Sequence, residues 1–111
     1  MVRNKKRIHL AAKFSKKRAE LKAIRHDIHA HPELAFEERR TADLVAAKLA
    51  AWGVEVHRGI AKTGLVGVVR GRQTSSGRGI GLRADMDCLP MHETNSFAHK
   101  SKHAEIGRAH V

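Results

Sequence analysis

Apolar residues recur at helical spacing in two stretches of the chain and then switch to strand spacing. Leu21, Ile24 and Ile28 lie three and four apart and make one stripe of a helix. Ser15 is a permitted N-cap residue, so this helix is predicted to start near it. His31 precedes Pro32, which pushes it out of helical geometry and ends the helix. Residues 32–36 (PELAF) read as a turn carrying apolar side chains between two helices. The second helix is predicted over about Phe36–Trp52. Its buried stripe is Ala42, Val45, Ala46, Leu49 and Trp52, and Gly53 suits the position just past its end. Glu37 and Glu38 fall in the first turn, where the helix dipole favours acids. Trp52 is expected as a core anchor, from its place in the stripe.

Val54–His57 alternates and reads as a strand. A turn follows over Gly59–Gly64. Leu65–Arg70 (LVGVVR) is a nearly continuous apolar run, which predicts a strand buried on both faces. Gly71–Gly79 is a polar loop, and Ile80–Asp85 is the third strand, expected to pair antiparallel with the second because no crossover helix fits between them. The order helix, helix, strand, strand, strand implies an α/β layer with helices on a sheet. No dinucleotide-binding glycine pattern, phosphate-binding loop or internal repeat is present.

The stretch Gly81–Met91 (GLRADMDCLPM) carries the candidate chemistry. Asp85 and Asp87 are two apart, so on a strand they share one face, and Pro90 stops the ladder. Two acids at a strand end can bind a metal, orient a metal's ligand or shift each other's pKa. On chemistry alone the balance lies slightly with a solvated strand end. His26, His29 and His31 cluster at the end of the first helix; no cysteine or second histidine group completes a ligand set with them, and the helix dipole also favours imidazoles there.

Charge is unevenly placed. The chain has 111 residues and a formal charge of +11, which invites a nucleic-acid or anionic-surface reading. Residues 1–25 hold ten Lys or Arg against one acid, Glu20, and so contribute +9 of it. The basicity belongs to an N-terminal arm. Residues 1–14 show no clear period and are expected to be disordered, with no aromatic residue interleaving the charges before Phe14 as a stacking platform would require. Aromatic content of 4% leaves the core to Val, Leu, Ile and Ala. One cysteine, Cys88, excludes an internal disulfide framework and fits a reducing, cytoplasmic setting. No apolar run is long enough to span a membrane, and the N-terminus lacks the continuous apolar region of a secretory signal.

Two segments together carry a family resemblance: HAHPELAFEE (His29–Glu38) and LRADMD (Leu82–Asp87). Over about residues 20–103 the chain closely resembles the start of the hippurate hydrolase branch of the aminoacylase-type, metal-dependent amidohydrolases. That resemblance implies an α/β catalytic domain with a mixed, mostly parallel sheet and an inserted dimerisation or lid domain. It implies two divalent metal ions, zinc or manganese, and a glutamate general base, for hydrolysis of the amide bond of N-acyl amino acids by a homodimer. Related peptidases carry a histidine ligand two residues before an active-site aspartate at the end of this strand. Asp85 occupies that histidine position and Asp87 matches the aspartate. Asp87 is therefore the catalytic candidate, orienting a metal-bound histidine. Cys88 stands where the family usually has alanine and is expected to be a small buried residue. His26, His29 and His31 match a structural signature of the family, not its ligands.

Family members continue from this point into a Cys-Gly-His-Asp segment that supplies the first metal ligands, whereas this chain ends AEIGRAHV. The resemblance thus places a truncated catalytic domain at residues 15–104. Glu105–Val111 reads as the translation of a common short-read sequencing adapter and is expected to be non-native. A genomic read that runs in frame into Cys-Gly-His-Asp supports this, and a stop codon after Val111 contradicts it. The chain by itself is expected to bind no metal pair and to be inactive. The competing class is a small basic nucleic-acid-binding protein acting through residues 1–25; a stand-alone regulatory or dimerising module of the same family is a third.

Overall fold

A computed structural model describes residues 2–73 and 75–108, with side chains from residue 5 onward. Two helices, α1 (Val2–Ala30) and α2 (Arg39–Ala51), precede a hairpin of β1 (Glu55–Ile60) and β2 (Gly64–Val68). The α/β class and the helix-before-sheet order are those read from the sequence.

Helix α1 differs at its start. It begins at Val2 instead of near Ser15, and the stretch expected as a disordered arm lies in its first half. Residues 2–30 contain no glycine or proline and are rich in Lys, Arg, Ala and Leu, which are strong helix formers. Ser15 sits in the interior and caps nothing. Packing does not hold this half: residues 5–23 are all exposed, and burial sets in only at Ile24. The end is where Pro32 puts it, with His31 N–H donating to Asp27 O at 3.2 Å.

Helix α2 is capped from a distance. Glu38 occupies the N-cap position but makes no capping bond. Glu33 does so instead: its carboxylate accepts from Arg40 N–H at 2.9 Å, Thr41 N–H at 2.7 Å and Thr41 Oγ1 at 2.6 Å. Burial pushes the Glu33 pKa up. The Thr41 and Arg40 hydrogen bonds and the Arg40 charge outweigh this and hold the carboxyl below its ordinary range. At the other end, Gly53 N–H reaches Ala50 O and Val54 N–H reaches Leu49 O, a Schellman closure that needs Gly53 at φ +76°.

The hairpin pairs antiparallel with Val56 opposite Gly67 and Arg58 opposite Leu65. Its turn holds two non-glycine residues in the left-handed region, Ala61 (φ 48°) and Lys62 (φ 77°), each costing about 1 kcal/mol. Thr63 Oγ1 donates to Glu38 at 2.6 Å and ties the turn to the start of α2. Gly67 allows the far end of α2 to approach the hairpin: a Cβ there would stand 3.1 Å from Val54 and 3.3 Å from Leu49 side-chain atoms.

Three expectations fail for one reason. Ile80–Asp85 forms no strand, and Ile80 and Leu82 are 92% and 96% exposed. The Leu65–Arg70 run is not buried on both faces, since β2 has β1 as its single neighbour among the described residues and Val69 is exposed. Trp52 is a half-open surface residue under the Lys17 ammonium, 5.2 Å from the ring centroid, and not a core anchor. The buried apolar set is Ala30, Ala42, Ala46 and Cys88. The accessible surface of 9423 Å² compares with about 6,100 Å² for a compact monomer of this mass. The radius of gyration of 17.7 Å compares with about 13 Å. Apolar residues patterned for a core therefore find little on this chain to bury against, and strand-patterned residues find no ladder.

Candidate functional site

The Asp85–Leu89 segment lies outside any helix or strand and is clamped from two sides. Cys88 N–H donates to Glu33 O at 2.8 Å, which fixes it to the turn between the helices. Leu89 and Gly107 exchange backbone hydrogen bonds at 3.0 and 3.1 Å, and Arg108 reaches Met86 O. Because the segment is not a strand, pleat geometry does not set the facing of the two acids. Asp85 and Asp87 nevertheless line the same two clefts. One, of about 640 Å³, has Ile24, Arg25, Ile28 and His29 of α1 opposite them. The other, of about 360 Å³, lies towards Phe36, Glu38 and the hairpin turn.

The acids differ in environment. Asp85 is exposed and paired with Arg83 at 2.8 Å. Asp87 is half-buried, and no hydrogen bond or ion pair to its carboxylate is found among the described residues. Between them and the core, Cys88 is buried as its small size suggests. Burial pushes its thiol pKa up and prevails over the Arg108 charge, so it has the character of an inert packing residue and not of a nucleophile.

His26, His29 and His31, at the end of α1 and just past it, are spent on structure. His31 Nδ1 lies 2.9 Å from Asp27 O, and Asp27 pairs with Arg40 at 2.7 Å, joining α1 to α2. His29 is buried and sits 2.9 Å from Glu93 Oε1. His26 stacks on His99 with centroids 3.7 Å apart, and Phe97 also stacks on His99, at 4.0 Å. Desolvation first, then the nearby His26, His29 and Arg25, lower the His99 pKa.

Glu93 is the hub of this region and was missed from the sequence. It is 5% exposed and accepts from Asn95 Nδ2 at 2.9 Å and Ser101 N–H at 2.8 Å as well as facing His29. Burial raises its pKa, but the Asn95, His29 and Ser101 hydrogen bonds prevail and bring it down to about 2. No local period marks Glu93: it stands in the polar run HETNS, and its main partner is 64 positions away.

The implied metals do not fit these residues. Among the described residues, no group of three or more His, Cys, Asp or Glu side chains is placed to hold a metal ion. Nor is any described helix long and apolar enough to cross a membrane.

No family model matches the chain. Individual proteins do. It is 49% identical over 90 residues to hippurate hydrolase of Campylobacter jejuni, covering 81% of this chain and 23% of that protein. It is 45% identical over 80 residues to thermostable carboxypeptidase 2 of Saccharolobus solfataricus, covering 71% and 20%. It is 41% identical over 88 residues to N-acyl-L-amino acid amidohydrolase of Geobacillus stearothermophilus, covering 78% and 23%. The chain thus spans less than a quarter of the length of these relatives.

Proposed function

Because the chain belongs, over the part it spans, to the family of hippurate hydrolase and the N-acyl-amino-acid amidohydrolases, we propose that it is one wall of an amidohydrolase active site. The whole protein hydrolyses the amide bond of small N-acyl amino acids, hippurate among them. The observation that carries this reading is the sequence identity joined to the position of Asp87, a half-buried carboxylate without a described partner on the shared wall of two clefts.

Asp87 acts as a positioning residue. A carboxylate with free acceptor capacity can take a hydrogen bond from an imidazole N–H and so fix its tautomer and direction. Asp85, held by Arg83 and open to water, contributes to the charge of the cleft. Two divalent metal ions, zinc or manganese, belong to the proposal for the whole protein, where they supply a polarised carbonyl and an activated water. Among the described residues no group of side chains offers them a ligand set, and residues 1–111 alone are expected to be inactive. A homodimer in the cytoplasm completes the reading; Glu105–Val111 is a non-native tail, so the hold of Gly107 and Arg108 on the Asp85–Leu89 segment belongs to this chain and not to the whole protein.

The test is turnover. The whole protein, given hippurate or another N-acyl amino acid, should release the free amino acid, while residues 1–111 should release none. A whole protein that leaves a panel of N-acyl amino acids intact would sink the proposal.

A further inference from the structure

We propose that the solvent-exposed half of α1 is a docking surface for a nucleic acid, gripped through its phosphate backbone. The inference is independent of the amidohydrolase reading. It starts from the finding that residues 2–14 are in the same helix as residues 15–30. A solvated tail would have spread its charges; a helix fixes them on a rod.

Lys5, Lys6, Arg7, Lys13, Lys16 and Arg18 are all exposed, and no ion pair neutralises them among the described residues. Glu20 is the one acid before Asp27 and leans towards Lys48 at 4.0 Å. Residues 1–25 carry +9, leaving +2 for the other 86. The basic triplet Lys5–Lys6–Arg7 recurs as Lys16–Lys17–Arg18 eleven residues later. Eleven residues are close to three full turns, so both triplets cover the same three sides, about 16 Å apart along the axis. Duplex DNA offers about one phosphate per 1.7 Å of axis, so the rod can meet a phosphate with most of its charges. Its diameter of about 10–12 Å also matches a B-form major groove about 12 Å wide.

The same pattern disfavours a bilayer. Leu10, Phe14 and Leu21 do lie on one stripe, but Lys17 falls within that stripe between Phe14 and Leu21. Laying the stripe into lipid would carry a lysine with it, whereas an interfacial helix keeps its basic residues on the opposite face. Stacking of single-stranded bases is disfavoured too, since Phe14 is the one aromatic residue among positions 5–25.

Binding of the full chain to short duplex DNA and to a hairpin RNA, followed by fluorescence anisotropy across a salt series, tests this. Engagement of about seven phosphates gives a slope of log K against log salt near −6 on B-DNA, or roughly a 4,000-fold loss between 50 and 200 mM salt. The triple variant Lys5→Gln, Lys6→Gln, Arg7→Gln should weaken binding and shrink the slope by about 3. Glutamine keeps helix propensity, and circular dichroism checks that helix content is retained. The loop variant Arg70→Gln, Arg72→Gln, Arg78→Gln should bind as the parent chain does. A flat salt response, an equal loss from the loop variant, or tighter binding to phosphatidylcholine–phosphatidylserine vesicles than to either nucleic acid would overturn the proposal.

Discussion

Glu93→Ala should destabilise the chain by about 3 kcal/mol, the range seen when one partner of a buried pair is removed. The residue is 5% exposed and satisfies three groups at once: His29, Asn95 and Ser101 N–H. Truncation leaves His29 buried against Phe97 and His99 with no acceptor, and it loosens a segment also tied to α1 by Lys102 N–H to Ala30 O at 2.9 Å and by the His26–His99 stack. Ordinary domains have about 5–15 kcal/mol in total, and a buried apolar set as small as this one places the chain at the low end. The pH dependence has a definite sign. The folded pKa of about 2 lies below the ordinary glutamate value of 4.5, so the charged form stabilises the fold above pH 4.5, and that stability is lost as pH falls from there through 2. Urea unfolding at neutral and acidic pH measures both effects. Glu93→Gln should keep one acceptor, lose less stability than Glu93→Ala, and flatten the acid dependence. A Glu93→Ala midpoint indistinguishable from that of the parent chain would show that the hub contributes nothing.

Asp87→Asn, made in the whole protein, should lower kcat for N-acyl amino acid hydrolysis by about 10–100-fold, as removal of a group that orients a metal ligand does. KM should move little, because the side chain is not proposed to touch the substrate. Melting temperature should also move little: no described group loses a partner when the charge goes. The split between kcat and stability separates positioning from packing. Asp85→Asn should have a smaller effect, since Asp85 is open to water and bonded to its neighbour Arg83. Equal losses for the two variants would contradict the distinction drawn between them.

Features whose causes are local were readable from the chain. Pro32 ends α1 and Gly53 closes α2 because each acts on its own backbone. The Ala42–Ala46 stripe of α2 is buried because its spacing matches one helix face. The hairpin follows from the switch of period at Val54. Features that depend on distant partners were not. Ile80 and Leu82 alternate as a strand should, but a strand exists only where another backbone supplies its hydrogen bonds. Trp52 has core spacing, yet what reaches its ring is Lys17 from α1. Helix α1 begins early because propensity alone sustains it, whereas its apolar stripe pointed only to the part that packs. Of the site, Asp85 and Asp87 were visible as a pair, but not that both would line the same two clefts. The Glu93 hub was invisible, since its meaning lies in His29, 64 positions away.

The central claim, that this wall belongs to a metal-dependent amidohydrolase, is tested most directly by metal removal from the whole protein. Hydrolysis of hippurate or another N-acyl amino acid should fall to background after chelation and return when zinc or manganese is added back. Full activity in protein stripped of metal, with the same Asp87→Asn loss as before stripping, would contradict it.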